Sequence, residues 1–336
     1  MSRVAIIGAG AWGTALSVVF GRSGSHQVCL WAYEDEVRRS ILEHRSNDLF
    51  LPGCSIPAAV EVTNDLRAAL RDAQIVLSVM PSHHARQLFR HMAQHLTPET
   101  LLVSATKGIE NDTLKRMTEV IEESVAEAHQ FSPRVAALSG PSFAKEVARG
   151  DPTAITIASK DNELATAVQR EFSDQTFRVY TNDDVIGVEL GGSLKNVIAI
   201  AAGVVEGLGL GHNTAAALIT RGLAEITRLA VACGGRRETM AGLAGMGDLV
   251  LTCTGGLSRN RTVGVELGRG RKLREIIAGM HGMVAEGVLT TDAAIGLARR
   301  YRVEMPITEQ IYAILHEEKS PKAAIRELMA RPGRVE

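Results

Sequence analysis

Val4-Ala5-Ile6-Ile7-Gly8-Ala9-Gly10-Ala11-Trp12-Gly13-Thr14-Ala15-Leu16 decides the fold. An apolar run suited to a buried strand enters GxGxxG, and a helical pattern leaves it. Physically, Gly8 permits a tight turn and Gly10 lets the backbone approach a pyrophosphate. Gly13 lets helix and strand pack closely, and the helix N-terminus offers free N–H groups and a positive dipole end. GxGxxG alone is weak; its strength here comes from what surrounds it.

Downstream, short apolar runs alternate with helical patterns: Gln27–Trp31, Val60–Thr63, Ile75–Met80, Leu101–Ser104, Val135–Leu138, Ala154–Ala158 and Phe177–Tyr180. That alternation is the βαβ signature of a mostly parallel, doubly wound sheet. The Pro- and Gly-bearing stretch from Ser46 to Pro57 reads as a long loop. At Thr181-Asn182-Asp183-Asp184 cap formers and acids announce a helix, and beyond them nearly everything reads as helical. The fold class is therefore α/β: an N-terminal Rossmann-type doubly wound sheet, residues 1–180, with an all-helical C-terminal domain, residues 181–336.

Bulk composition fits a globular protein of two ordinary domains. The chain has 336 residues, 45% hydrophobic and 22% charged, with a net charge of −1. Nucleic-acid or membrane-surface binding normally needs a basic excess, so neither is expected. The four cysteines are scattered without a CxxC pair and read as small hydrophobes in a reducing compartment. The N-terminus runs straight into a strand pattern, and the apolar stretch Val197–Leu210 is short, Gly-broken and carries Glu206. A cytoplasmic location is the simplest expectation.

Ligands of open α/β sheets bind beyond the carboxyl ends of the strands. Pro81-Ser82-His83, Thr106-Lys107-Gly108 and Ser139-Gly140-Pro141-Ser142 fall there. Each also suits turn chemistry, and Ser139–Ser142 could be a helix cap. Lys107, on the lip of the crevice, is well placed for an anion. The acid expected about 20 residues after the glycines is not cleanly present. Tyr33 stands there, with Glu34 and Asp35 beside it and Arg38 and Arg39 a turn later. Glu34 suits a ribose and the arginines a 2′-phosphate, which leaves NAD and NADP both open.

In the second half, Gly191 and Gly192 precede Ser193-Leu194-Lys195-Asn196 inside a helix that continues almost wholly apolar. Paired glycines weaken a helix and usually serve close approach. Lys195 is either a buried lysine for acid/base work or a helix-end lysine that snorkels to water. Gly245-Met246-Gly247-Asp248 reads as a flexible turn with Asp248 capping the next helix. Ser258-Arg259-Asn260-Arg261 opens another helix, with Ser258 as its cap. Arginine in a first turn is disfavoured by the helix dipole, so an anion such as phosphate is expected at Arg259. His91 and His95 have the spacing of a metal pair but no accompanying acid, and they read as surface-helix residues.

These stretches together resemble the bacterial-type NAD(P)-dependent glycerol-3-phosphate dehydrogenase family. The similar segments are GAGAWGTAL at 8–16, LPG at 51–53, PSH at 81–83, TKG at 106–108 and SGPSFAKEV at 139–147. The second half adds ELGGSLKNVIAIAAG at 189–203, AGMGDLVLTC at 244–253, SRNR at 258–261 and VAEGVLT at 284–290. The resemblance implies reduction of dihydroxyacetone phosphate to sn-glycerol 3-phosphate with NADH or NADPH, at the entry to phospholipid synthesis. It implies Lys195 as the catalytic lysine, and Lys107, Gly140, Ser142, Asp248, Ser258, Arg259 and Asn260 as substrate contacts. Around the dinucleotide it implies Gly8, Gly10, Ala11, Trp12, Gly13, Tyr33, Phe50, Lys107, Ala144, Arg259, Val284 and Glu286. Ala11 replaces the serine common at that position. Many members dimerise, so a homodimer is compatible with the resemblance.

Two other readings remain at this stage. A dehydrogenase of similar layout acting on a 2-hydroxy or sugar acid would need a carboxylate site and no phosphate. A redox-sensing dinucleotide-binding regulator would have no use for Lys195 and should carry a DNA-binding segment, which the sequence lacks.

Overall fold

The computed structural model describes residues 1–280 and 285–333. The sheet strands are β1 (Ser2–Ile7), β2 (His26–Trp31), β3 (Glu61–Thr63), β4 (Ile75–Ser78), β5 (Leu101–Ser104), β6 (Arg134–Ser139), β7 (Thr153–Ala158) and β8 (Phe177–Asn182). They form one eight-stranded sheet in the order β8-β7-β6-β5-β4-β1-β2-β3. From β3 to β6 all pairs are parallel, the 3-2-1-4-5-6 order of dinucleotide-binding sheets. β7 joins antiparallel to β6, with Ser139 opposite Thr156, and β8 lies parallel to β7. The central strands β1, β4 and β5 are apolar on both sides because layers cover both faces, whereas the edge strands β3 and β8 alternate or expose polar residues. Ile6 packs on one face with Leu30 and Leu77, and Ile7 on the other with Trp31 and Met80. Each isoleucine buried this completely contributes about 1.5–3 kcal/mol.

Helix α1 (Ala11–Arg22) follows the glycine loop and packs beside α2 (Ala144–Arg149). One reading of the sequence fails here. Ser46–Pro57 is not a plain loop: Ser46–Asn47 and Leu51–Ser55 pair as a small antiparallel hairpin. Its Asn47 is buried and donates from Nδ2 to Ala9 O and to Thr14 Oγ1, both at 2.8 Å. The hairpin thereby braces the glycine loop from behind.

The helical domain is built around α3 (Val185–Gly207), entered through Asp184, whose side chain caps Gly187 N–H at 2.9 Å. Among the described residues α3 is the one single helix long and apolar enough to cross a membrane. Its most apolar window is 94% buried inside the molecule, so it is the central helix of a core. Packed on it are α4 (His212–Ala232), α5 (Asp248–Thr254), α6 (Arg259–Gly268) and α7 (Glu286–Tyr301). Gly191 and Gly192 serve close approach, as expected. A Cβ on Gly191 would lie 2.7 Å from Ala244 O, and one on Gly192 would clash with Ser139 Oγ.

Candidate active site

A cleft of about 760 Å³ runs from the glycine loop, past the carboxyl ends of β2, β4 and β5, to α3, α5, α6 and α7. At one end Gly8 adopts φ +121°, where a side chain would meet Val79 O at 2.7 Å. A Cβ on Gly13 would run into the Gly8 carbonyl, whereas one on Gly10 would meet nothing within 4 Å. No side chain caps α1 at Gly10, so its first N–H groups are free for an anion. These features fit the pyrophosphate of a dinucleotide. Ala11, Trp12, Tyr33, Phe50 and Ala144 line the same end, as does Glu34.

Tyr33 is 77% exposed at the rim. Asp35 pairs with both nearby arginines: Arg38 Nη2 at 2.8 Å and Arg39 Nε at 3.1 Å. The arginine hydrogen bond holds the Asp35 carboxyl below its usual range. His91 lines the cleft, while His95 lies beyond the end of the helix Ala85–Ala93, so the two do not share a surface helix.

The other end is built on charge. Lys195 sits in mid-α3 with its side chain 7% exposed, which removes the snorkelling alternative. Its Nζ bonds Asp248 Oδ1 and lies 2.7 Å from Thr252 Oγ1. Lys107 Nζ reaches the other carboxylate oxygen, Asp248 Oδ2, at 2.6 Å and donates to Gly140 O at 3.2 Å. Burial pulls the Lys195 ammonium down to about 7; Asp248 opposes this, and Lys107 adds to it. A lysine at that value can give or take a proton near neutrality.

Asp248 does not cap α5. The capping position is Gly247, which is itself helical, and the turn before it, Leu243–Gly247, is a π-type turn closed by Gly247 N–H to Gly242 O at 3.1 Å. This turn rolls the Asp248 carboxylate inward, 1% exposed, between two lysines. Neither do Ser139–Ser142 cap α2. Phe143 holds that place, and Ser142 Oγ donates to Gly140 O at 2.9 Å.

Ser258 caps α6 as its sequence indicates, accepting from Arg261 N–H at 3.2 Å. Arg259 lines the cleft at the helix start and, among the described residues, has no ion pair or hydrogen bond. Packing around it depresses its pKa, with Glu286 opposing. Asn260 lines the cleft too, but its Oδ1 accepts from Gly287 N–H at 2.9 Å and so holds the start of α7. Glu286 accepts from Ser82 N–H at 3.1 Å and Ser82 Oγ at 2.8 Å, closing the cleft between the halves. Burial raises its carboxyl pKa.

Of the expected residues, Gly13, Gly140 and Asp248 stand behind the lining, and Val284 lies outside the described residues. Asn47 and Thr252 were missed. Thr252 carried a usable signal, being four residues after Asp248 on one helix face; Asn47 carried none.

Fold and cleft together define a nicotinamide-dinucleotide-dependent oxidoreductase. Residues 3–165 match the family model of NAD-dependent glycerol-3-phosphate dehydrogenase N-terminus, and residues 184–326 that of its C-terminus. The chain is 71% identical to the glycerol-3-phosphate dehydrogenase [NAD(P)+] of Koribacter versatilis, over 100% of this chain and 99% of that protein. It is 57% identical to the one from Acidobacterium capsulatum, over the whole of both. The crystal structure of glycerol-3-phosphate dehydrogenase from Coxiella burnetii superposes with a TM-score of 0.93 at 41% identity, over 98% of this chain and 99% of that one. The chain belongs to the NAD-dependent glycerol-3-phosphate dehydrogenase family.

Proposed function

We propose that the chain interconverts dihydroxyacetone phosphate and sn-glycerol 3-phosphate with NADH or NADPH. In the cytoplasm this would feed glycerophospholipid synthesis, with the chain working alone or as a homodimer. Residues 1–180 serve as the dinucleotide-binding domain and 181–336 as the helical substrate and catalytic domain. The observation that carries the reading is Lys195. Its ammonium lines the cleft that begins at the glycine loop, and Asp248 balances its charge.

When bound, the dinucleotide supplies the hydride that adds to the carbonyl carbon. As the carbonyl oxygen gains charge, the Lys195 ammonium stabilises it and transfers a proton to it. Asp248 orients Lys195 and keeps it cationic, and Lys107 adds a second positive charge beside it. Arg259 and the N-terminus of α6 take the substrate phosphate, with Ser258, Asn260 and Ser142 shaping the wall and Gly140 behind it holding Lys107 and Ser142 through its carbonyl. Binding energy gathered at the phosphate, away from the reacting carbon, fixes the carbonyl against Lys195. Gly8, Gly10, Ala11, Trp12, Tyr33, Phe50, Ala144 and Glu286 hold the dinucleotide, and Gly13 behind them lets α1 pack close against the glycine loop.

The test is direct. Purified protein given dihydroxyacetone phosphate and NADH or NADPH should consume the cofactor and release an equal amount of glycerol 3-phosphate. Cofactor oxidation without that product would contradict the proposal.

A further inference from the structure

After β5 the chain detours through the helical domain before the helix Met117–Ala126 returns over the sheet. Residues 107–116 form a strap closed on itself by an antiparallel bridge between Ile109 and Arg116. Glu110 N–H bonds Lys115 O at 2.9 Å, and Leu114 N–H bonds Glu110 O at 2.8 Å. The strap is planted in the helical domain. Ile109, 2% exposed, belongs to the same apolar core as Leu194 and Val197 of α3. Leu114 packs on that core over Gly296 of α7, where a Cβ would stand 2.8 Å from Leu114 Cδ2. Ser193 Oγ donates to Gly108 O at 3.2 Å, and Arg300 Nη2 to Thr113 O at 3.3 Å.

The far end of the strap meets a buried carboxylate. Glu189, on α3 and well before Lys195, accepts from Arg116 Nη1 at 2.5 Å, Thr118 N–H at 2.9 Å and Thr118 Oγ1 at 2.6 Å. Leu114 has φ +62°, the left-handed region. A leucine stays there only where its surroundings hold it.

We propose that this strap is a positioning device for the reaction. Leu114 seated over Gly296, and Glu189 gripping Arg116 and Thr118, fix where Lys107 stands against Asp248 and so keep Lys107, Asp248 and Lys195 assembled. The inference rests on the function proposed above. None of Leu114, Gly296 and Glu189 lines the cleft, so they act through Lys107 as positioning residues.

The device has a signature that plain structural damage lacks. The titratable and charged groups facing Lys195 are Asp248 and Cys253 from α5 and Lys107 from the strap. Withdrawing Lys107 removes a like charge and leaves Asp248 to Lys195 alone. Both changes favour the ammonium, so the pKa of Lys195 should rise from about 7.

The experiment uses the full chain with Leu114→Ala, Gly296→Leu and the double variant. Melting temperature and NADH affinity are recorded beside kcat for dihydroxyacetone phosphate as a function of pH. Competitive amine labelling of Lys195, read by mass spectrometry, titrates the same group without turnover. Leu114→Ala should fold, bind NADH within about 3-fold of wild type, and lose on the order of 10-fold or more in kcat. Its Lys195 titration should move upward by about half a unit or more. The double variant, with knob and notch exchanged, should recover most of what Gly296→Leu loses. A folded Leu114→Ala whose kcat and Lys195 titration match wild type overturns the proposal, as does a lower kcat with an unmoved titration. If Gly296→Leu does not fold, Leu114→Ala alone decides. Wild-type protein inert toward dihydroxyacetone phosphate would defeat the proposed function instead, while the labelling arm would still judge the strap.

Discussion

Lys107 and Asp248 meet across 141 positions of sequence, with Nζ of one 2.6 Å from Oδ2 of the other. One residue follows a sheet strand and the other opens a helix of the second core, so the contact joins the two halves beside Lys195, the proposed proton donor. Asp248 also holds Lys195, which leaves one carboxylate facing two ammonium groups. The site therefore carries a surplus positive charge, which suits a phosphorylated substrate whose carbonyl oxygen turns anionic during reduction.

Lys195→Ala should remove the proton donor and leave the dinucleotide end intact. Loss of a positioned general acid costs about 10²–10⁴ in rate, so kcat should fall by that factor. NADH affinity, measured by fluorescence titration, should stay within about 3-fold, because the lysine acts on the substrate. Retention of more than about a third of wild-type kcat would refute the assignment.

The pH dependence follows from the Lys195 value of about 7. Reduction needs the ammonium, so its kcat should fall as pH rises through that value. Oxidation of glycerol 3-phosphate needs the neutral amine, so its kcat should rise over the same range. Asp248 favours the ammonium, and Asp248→Asn should therefore shift both limbs to lower pH. Lys107 disfavours it, and Lys107→Met should shift them upward. Shifts of the same sign in the two variants would be incompatible with the electrostatics described.

Much of this was legible in the sequence, for physical reasons. Each apolar run of the first half became a sheet strand to within a residue or two, because central strands buried on both faces need near-continuous apolar residues and the edge strand Phe177–Asn182 still alternates buried and exposed positions. Gly191 and Gly192 pointed to a close approach that Ala244 and Ser139 supply. The Ser46–Ser55 hairpin was hidden, since its pairing is short and carried by LPGCS rather than by alternating β-formers. Asp248 was misread because an acid after a glycine turn looks like a cap. Its inward direction depends on the π-type turn, and local sequence does not announce that. The strap was invisible as well, being made by contacts between residues far apart in the chain.

Asn47 tests the bracing of the glycine loop. Its Nδ2 satisfies Ala9 O and Thr14 Oγ1 in a buried place. Asn47→Ala removes both bonds and leaves Ala9 O only the 3.3 Å bond from Thr14 Oγ1, at a cost of about 1–3 kcal/mol, which should appear as a lower melting temperature. The KM for NADH should rise more than kcat falls. An unchanged NADH KM would mean the hairpin is only structural padding.

Cofactor choice turns on Asp35. It ties up Arg38 and Arg39 at the end of the second strand, where a free arginine could meet a 2′-phosphate. Wild-type protein should use both cofactors, with a kcat/KM ratio below about 10⁴. Asp35→Ala should release the arginines and move the ratio toward NADPH by on the order of 10-fold, at little cost in stability since the ion pairs are exposed. A ratio unmoved by Asp35→Ala would show that neither arginine reaches the cofactor.

The central claim is that the cleft takes a phosphorylated ketone through Arg259, and one comparison tests it most directly. The kcat/KM for dihydroxyacetone phosphate and for unphosphorylated dihydroxyacetone is measured in wild type and in Arg259→Ala. Arg259 stands at the positive end of α6 with no hydrogen bond or ion pair among the described residues and only the more distant charge of Glu286 to offset it, so an anion would make its place favourable. A charge-assisted hydrogen bond contributes about 1.5–3 kcal/mol, so the preference for the phosphorylated ketone should shrink about 10- to 100-fold in the variant. The same preference in variant and wild type would contradict the account and move the phosphate to another anchor, with Lys107 the first to examine.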